Sequence, residues 1–262
     1  KVRVRDNNGE FSGWSEPASW SMGLLKRSDW TASWIGIDDI FEKQEGWPPP
    51  DNSIPDPWFR KTFEIEQKPE RATLYLASIG YHEVYVNGER IGDAILSPNV
   101  VNHRKRARYV TYDITGQLQP GRNVLAVWMG LSWSIYPEYA REDRPFTPMF
   151  IAQAEIELPE EKTVRIVTDE TWKTHPSPNT LLGIWNFMHF GGELYDANKE
   201  QPNWNKVDCD DSHWGSVTRY APNVTLSAEM LEPNRIIKKI SAVSIKDVGP
   251  NEYRVDMGVN FT

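Results

Sequence analysis

From Trp58 to about residue 225, apolar residues recur at every second position in short runs broken by Gly, Pro and Asn. That period belongs to half-buried strands and is wrong for helices. In "GYHEVYVNGERIGD", residues 80–93, Tyr81, Glu83 and Tyr85 fall on one face and His82, Val84 and Val86 on the other. Asn87-Gly88 then supplies the positive-φ pair a tight hairpin needs. Similar runs are "WFRKTFEIE" (58–66), "RATLYLASIGYHEVYV" (71–86, kinked at Gly80), "ARYVTYDIT" (107–115), "NVLAVWMG" (123–130) and "MFIAQAEIELP" (149–159). "TVRIVTDETWKT" (163–174), "LLGIWNFM" (181–188) and "GGELYDA" (191–197) continue the series. Many short strands at near-regular spacing predict an all-β fold, a β-sandwich or jelly-roll β-sandwich. Residues 46–57 hold five prolines and read only as loop. Helical turns are expected only within 113–121 and within 208–216, the latter with an Asp cap and a buried Trp214.

Both ends look like pieces of other sandwiches. Residues 1–25 alternate around a turn at Asn8-Gly9, and two strands cannot bury a face alone. The Trp-Ser-Glu-Pro-Ala run that follows resembles the closing strand of a fibronectin type III-like domain. "DWTASWIG" (29–36) reads as a connector whose two Trp lie against the next domain. After about residue 225 the pattern changes to two or three further strands ending at Thr262. The expected division is 1–28, 29–232 and 233–262, and the chain reads as a piece of a longer polypeptide.

Composition excludes several function classes. A net charge of −8 and a pI near 5.3 argue against nucleic acid, which needs a basic surface. The basic run "HRKRARY" (103–109) interleaves with apolar residues as a solvated strand face would. One cysteine, Cys209, permits no intrachain disulfide. No apolar stretch approaches the ~20 residues of a membrane span. Phosphate-loop, H-E-x-x-H, C-x-x-C and G-x-S-x-G motifs are all missing. The five histidines are scattered.

What remains is a chain with twelve Trp, ten Tyr and nine Phe. Such rings fill cores and also stack on sugars. The loop around "GLSWSIYPEYAREDRP" mixes rings, acids and Arg, which makes Trp133 and Tyr136 candidates for sugar contact; the alternative is a solvated crossover. In "GGELYDA", Glu193 and Asp196 are placed to bond hydroxyls or a cation, or simply to face water. Calcium needs six or more oxygens, and two acids three residues apart do not supply them.

The segments "ATLYLASIGYHEVYVNGERIGDAILSPN", "RYVTYDIT", "GRNVLAVWMG", "TDETWKT", "GGELYDAN" and "DDSHW" occur here in one order. That order resembles the N-terminal sandwich domain of bacterial α-L-rhamnosidases. The terminal "VDMGVNFT" resembles the opening of the concanavalin-like sandwich that follows it in those enzymes. The resemblance implies inverting removal of terminal α-L-rhamnose by carboxylates in an (α/α)6 barrel, of which this chain shows no pattern, so no catalytic residue is expected here. It implies a rhamnose-containing glycan and the parent chain's barrel as partners, and a periplasmic or extracellular address. In some relatives a domain of this type binds L-rhamnose through calcium. Gly191 stands where the family often has Asp or Asn, which removes a potential ligand; no cofactor is expected and calcium stays open. The alternatives are the leading jelly roll of a β-galactosidase or β-glucuronidase type enzyme, and a spacer with no ligand.

Overall fold

The computed structural model describes residues 1–18, 22–38, 54–135, 147–182 and 192–260. The first strands are β1 (Trp34–Gly36), β2 (Ile54–Ile65), β3 (Arg71–Ile79), β4 (Tyr81–Val86) and β5 (Glu89–Arg90). Then come β6 (Arg106–Asp113), β7 (Gly121–Gly130), β8 (Met149–Leu158), β9 (Lys162–Val167) and β10 (Lys173–Leu182). The short β11 (Gly192–Tyr195), β12 (Gly215–Ser216), β13 (Thr218–Tyr220) and β14 (Thr225–Ala228) complete the body, and β15 (Ser244–Gly249) and β16 (Glu252–Asp256) form a terminal hairpin. Among the described residues helix is confined to short 3-10 turns.

Two sheets of seven strands make an all-β sandwich. The first runs β13-β1-β8-β3-β6-β14, with β9 sharing an edge of β8; the second runs β11-β10-β2-β7-β4-β5, with β12 on β10. All body pairings are antiparallel except β14 on β6. Gly80 is the corner where the chain leaves one sheet for the other. Its φ is +106°, and a Cβ there would lie 2.6 Å from the Gly130 carbonyl oxygen, so only glycine fits. The Asn87-Gly88 turn has φ of 52° and 90°. The Asn87 side chain ties it to β7 by donating to the Asn123 side chain and accepting from the Val124 amide, at 2.8 and 2.9 Å.

The facing sides of the sheets share one apolar core. Phe59 of β2 meets Phe150 of β8 edge-on at 5.1 Å, and Phe150 meets Trp172 at 5.5 Å. The Trp172 indole N–H is satisfied by the Val167 carbonyl. Burying each such side chain is worth about 1.5–3 kcal/mol. Of the expected connector 29–36, residues 34–36 are instead the strand β1 within the first sheet, and Trp30 and Trp34 are buried with Tyr75 and Tyr109 on its outer face. That is why the central strand β3 is buried on both faces.

Three further expectations change. The Pro-rich stretch is not all loop, because β2 begins at Ile54 and includes Pro55 and Pro57. From Ile54 to Pro57 it pairs with β10 alone, and β7 joins only at Trp58. A proline without an N–H is tolerated on a strand with one free edge. The run 163–174 is two strands rather than one. After β9, Asp169 accepts the Thr171 amide and turns the chain so that Trp172 plugs the core before β10 starts. Residues 208–216 hold no helix: turns and loop lead into β12 at Gly215–Ser216, although Asp210 accepts the Ser212 amide and Trp214 is buried. Of the run 181–188, β10 takes the first two residues and 183–188 lies outside the described residues. At the start of the chain, residues 1–18 fold back through an Arg5–Phe11 bridge.

Candidate functional site

The outer face of the second sheet divides in two. Strand alternation points Phe59, Val84 and Val127 into the core, so Trp58, Arg60, Glu83, Tyr85 and Trp128 face outward. One half lies under the segment 200–214. Trp204 stacks on Trp58 with centroids 4.7 Å apart and planes 2° from parallel, and Trp214 lies 6.5 Å from Trp58 at 13°. Asp211 fastens the segment through an ion pair with buried Arg60 and another with Lys173 at 2.7 Å. The "DDSHW" motif is therefore an anchor.

The other half is an open depression of about 350 Å³. Trp128 and Gly130 of β7, Tyr81 and Glu83 of β4, Asp56 of β2, Asn179 of β10 and Glu193 and Tyr195 of β11 line it, with Leu96 from the loop after β5. Trp128 is fixed edge-on between Trp58 and Trp204, at 5.9 and 6.4 Å. Glu83 is held by Arg90 at 2.8 Å and by the Tyr85 hydroxyl at 2.6 Å. The Tyr195 hydroxyl donates to Glu200 at 2.6 Å.

Asp56 is the one carboxylate in the buried class among the described residues, only 7% exposed. One of its oxygens accepts the Leu131 amide at 3.0 Å and the other accepts the Asn179 side-chain amide at 2.6 Å. Burial pushes its pKa from 3.8 up to about 6, against these two donors, and the negative charge of Glu193 pushes the same way. Beneath β4, His82 bonds Ser78 at 2.7 Å and the Tyr112 hydroxyl at 2.8 Å. Burial lowers His82 to about 3 and raises Tyr112 to about 12, so both stay neutral at ordinary pH. This closed network sets the position of the strand that carries Tyr81 and Glu83.

Of the residues singled out in the sequence, Glu193 lies in the depression. Trp133 lies at its margin, where its indole N–H donates to the Tyr81 hydroxyl at 3.2 Å. Asp196 caps the turn Ala197–Lys199, accepting the Asn198 amide at 3.1 Å, and does not line the depression. Tyr136 lies outside the described residues, as does Gly191. Sequence reasoning missed Asp56, Tyr81, Glu83, Leu96, Trp128, Asn179 and Tyr195. Only Tyr81 and Glu83 carried a signal, being the outward set of an alternating strand.

The described residues do not fit a calcium ion. No three His, Cys, Asp or Glu among the described residues come close enough to hold a metal. A ring beside a buried carboxylate and an amide is what recognition of a sugar's apolar face and hydroxyls requires.

A family model described as the α-L-rhamnosidase N-terminal domain matches residues 67–238. The chain belongs to that family. A second model, the Rha78A-like N-terminal immunoglobulin domain, matches residues 1–26. An α-L-rhamnosidase of Formosa agariphila is 30% identical over the whole chain, which covers 29% of that protein. The α-L-rhamnosidase structure from Dictyoglumus thermophilum superposes on 98% of this chain with a TM-score of 0.81 and 33% identity, again over 28% of its own length. The Streptomyces avermitilis α-L-rhamnosidase, complexed with L-rhamnose, matches 79% of the chain with a TM-score of 0.66 and 28% identity. The chain thus spans less than a third of the rhamnosidases it matches. Among the described residues no helix is long and apolar enough to cross a membrane.

Proposed function

We propose that this chain is the non-catalytic, sugar-binding portion of a glycoside hydrolase that removes terminal α-L-rhamnose, with hydrolysis carried by a barrel elsewhere in the parent chain. The depression on the second sheet holds the rhamnosyl residue. Trp128 offers the face on which the pyranose lies, Asp56, Asn179 and Glu193 take its hydroxyls, and Trp133 fixes Tyr81 at the rim. The single observation that carries this reading is the buried Asp56 carboxylate opening on a depression of monosaccharide size beside a fixed indole. Asp196 has a capping role in this scheme and takes no part in the site.

The same reading divides the chain at 1–28, 29–232 and 233–262. It is supported by β15 and β16, which pair only with each other among the described strands, while Asn234 and Arg235 tie the start of the last piece to Ile95 and Asp93 of the body. Titration calorimetry with L-rhamnose tests the site: saturable binding is expected, weakened about tenfold by Glu193→Gln, the loss of one charge-assisted hydrogen bond. Incubation with a chromogenic α-L-rhamnoside tests the division of labour. Appreciable turnover by this chain would sink it.

A further inference from the structure

Leu96 is held in a conformation its side chain resists. Its φ is +50°, in the left-handed region, while its side chain is 57% exposed on the rim of the depression. The neighbours pin it there. Arg90 donates to the Ala94 carbonyl at 2.6 Å, the Ile95 amide donates to Asn234 at 2.9 Å, and the His82 amide donates to the Ser97 carbonyl at 2.8 Å. A glycine would follow this path without strain, so an exposed leucine that the core does not need requires another reason.

The sheet order supplies one. Leu96 sits beside β4, whereas Asp56 lies two strands away on β2 and Asn179 and Glu193 lie beyond it on β10 and β11. At about 4.8 Å per strand, Leu96 and Asp56 flank a span of about 10 Å, room for one pyranose between an apolar wall and a polar one. Resting on the sugar-site reading above, we propose that Leu96 is a specificity-determining residue. Its side chain packs on the C6 methyl of a 6-deoxyhexose and disfavours the hexose that carries a hydroxyl there.

L-Rhamnose and L-mannose differ only by that hydroxyl, so the ratio of their dissociation constants, measured by NMR titration of the chain, reads the contact. The expected preference for L-rhamnose is about tenfold, the cost of holding an unpaired hydroxyl against an apolar wall. Leu96→Ala should bring it to about twofold. Leu96→Gly should do the same while raising Tm, since the left-handed backbone no longer carries a side chain. A ratio unchanged in both variants, or loss of both sugars in parallel, overturns the role of Leu96 and leaves the site standing. Failure of the unaltered chain to bind either sugar overturns the site and the inference together.

Discussion

The two halves of the second sheet's outer face use the same residue types to opposite ends. Under the segment 200–214, Trp204 and Trp214 both stack on Trp58, and the charges there are paired, Arg60 with Asp211 and Lys173 with Asp211. A few ångströms along the same strands, Trp128 borders open space and Asp56 is buried with neutral partners only. In the covered half a ring and a charge stabilise the fold. In the open half a buried carboxylate without a countercharge costs stability, which is the expected signature of a place kept for a ligand.

The largest effect expected from this contrast is on the covered side. Trp214→Ala should cost about 3–5 kcal/mol in denaturant unfolding, the usual range for a large buried aromatic. Affinity for L-rhamnose in the folded fraction should change less than twofold. If sugar binding vanished while stability held, the two halves would have exchanged roles.

Next comes the pH dependence set by Asp56. With its pKa raised from 3.8 to about 6, the folded chain keeps a proton that the unfolded chain has released. Its contribution to stability therefore falls as pH rises through that window, by up to about 3 kcal/mol. His82 acts in the opposite sense: lowered from 6.5 to about 3, it favours the fold above pH 6.5 and loses that contribution as pH falls. Unfolding curves from pH 4 to 7.5 for Asp56→Asn should lack the first slope and keep the second. A variant with the pH profile of its parent would mean that Asp56 is not strained.

The smallest effect sharpens the boundary of the site. Asp196→Ala removes a turn cap and should cost about 1 kcal/mol or less, with sugar affinity unchanged. Glu193→Gln, three residues earlier, should do the reverse. Equal behaviour of the two would extend the site past β11.

How legible each part was follows from how local its cause is. The long strands of the body, the Gly80 corner and the Asn87-Gly88 turn rest on short-range alternation and backbone freedom and could be read directly, whereas β1, read as a connector, and the short β12, β13 and β14 could not. The strand at Pro55–Pro57 could not, because its tolerance of proline depends on β7 joining only at Trp58, a fact of assembly. Glu193 was visible in a short acidic motif. Asp56 sat among prolines with nothing to mark it, and its chemistry arises from burial beside Asn179, far along the chain. Trp128 looks like any core tryptophan of an apolar strand until the segment 200–214 is seen to touch it edge-on and leave it only partly covered.

The indole N–H resonances of the tryptophans report on both halves at once during a titration with L-rhamnose. A sugar held in the open half shifts Trp128 and Trp133 progressively and leaves Trp214 where it was. Movement of Trp214 with Trp128 unmoved, or no movement of any indole at saturating sugar, would contradict the assignment of this depression as the binding site.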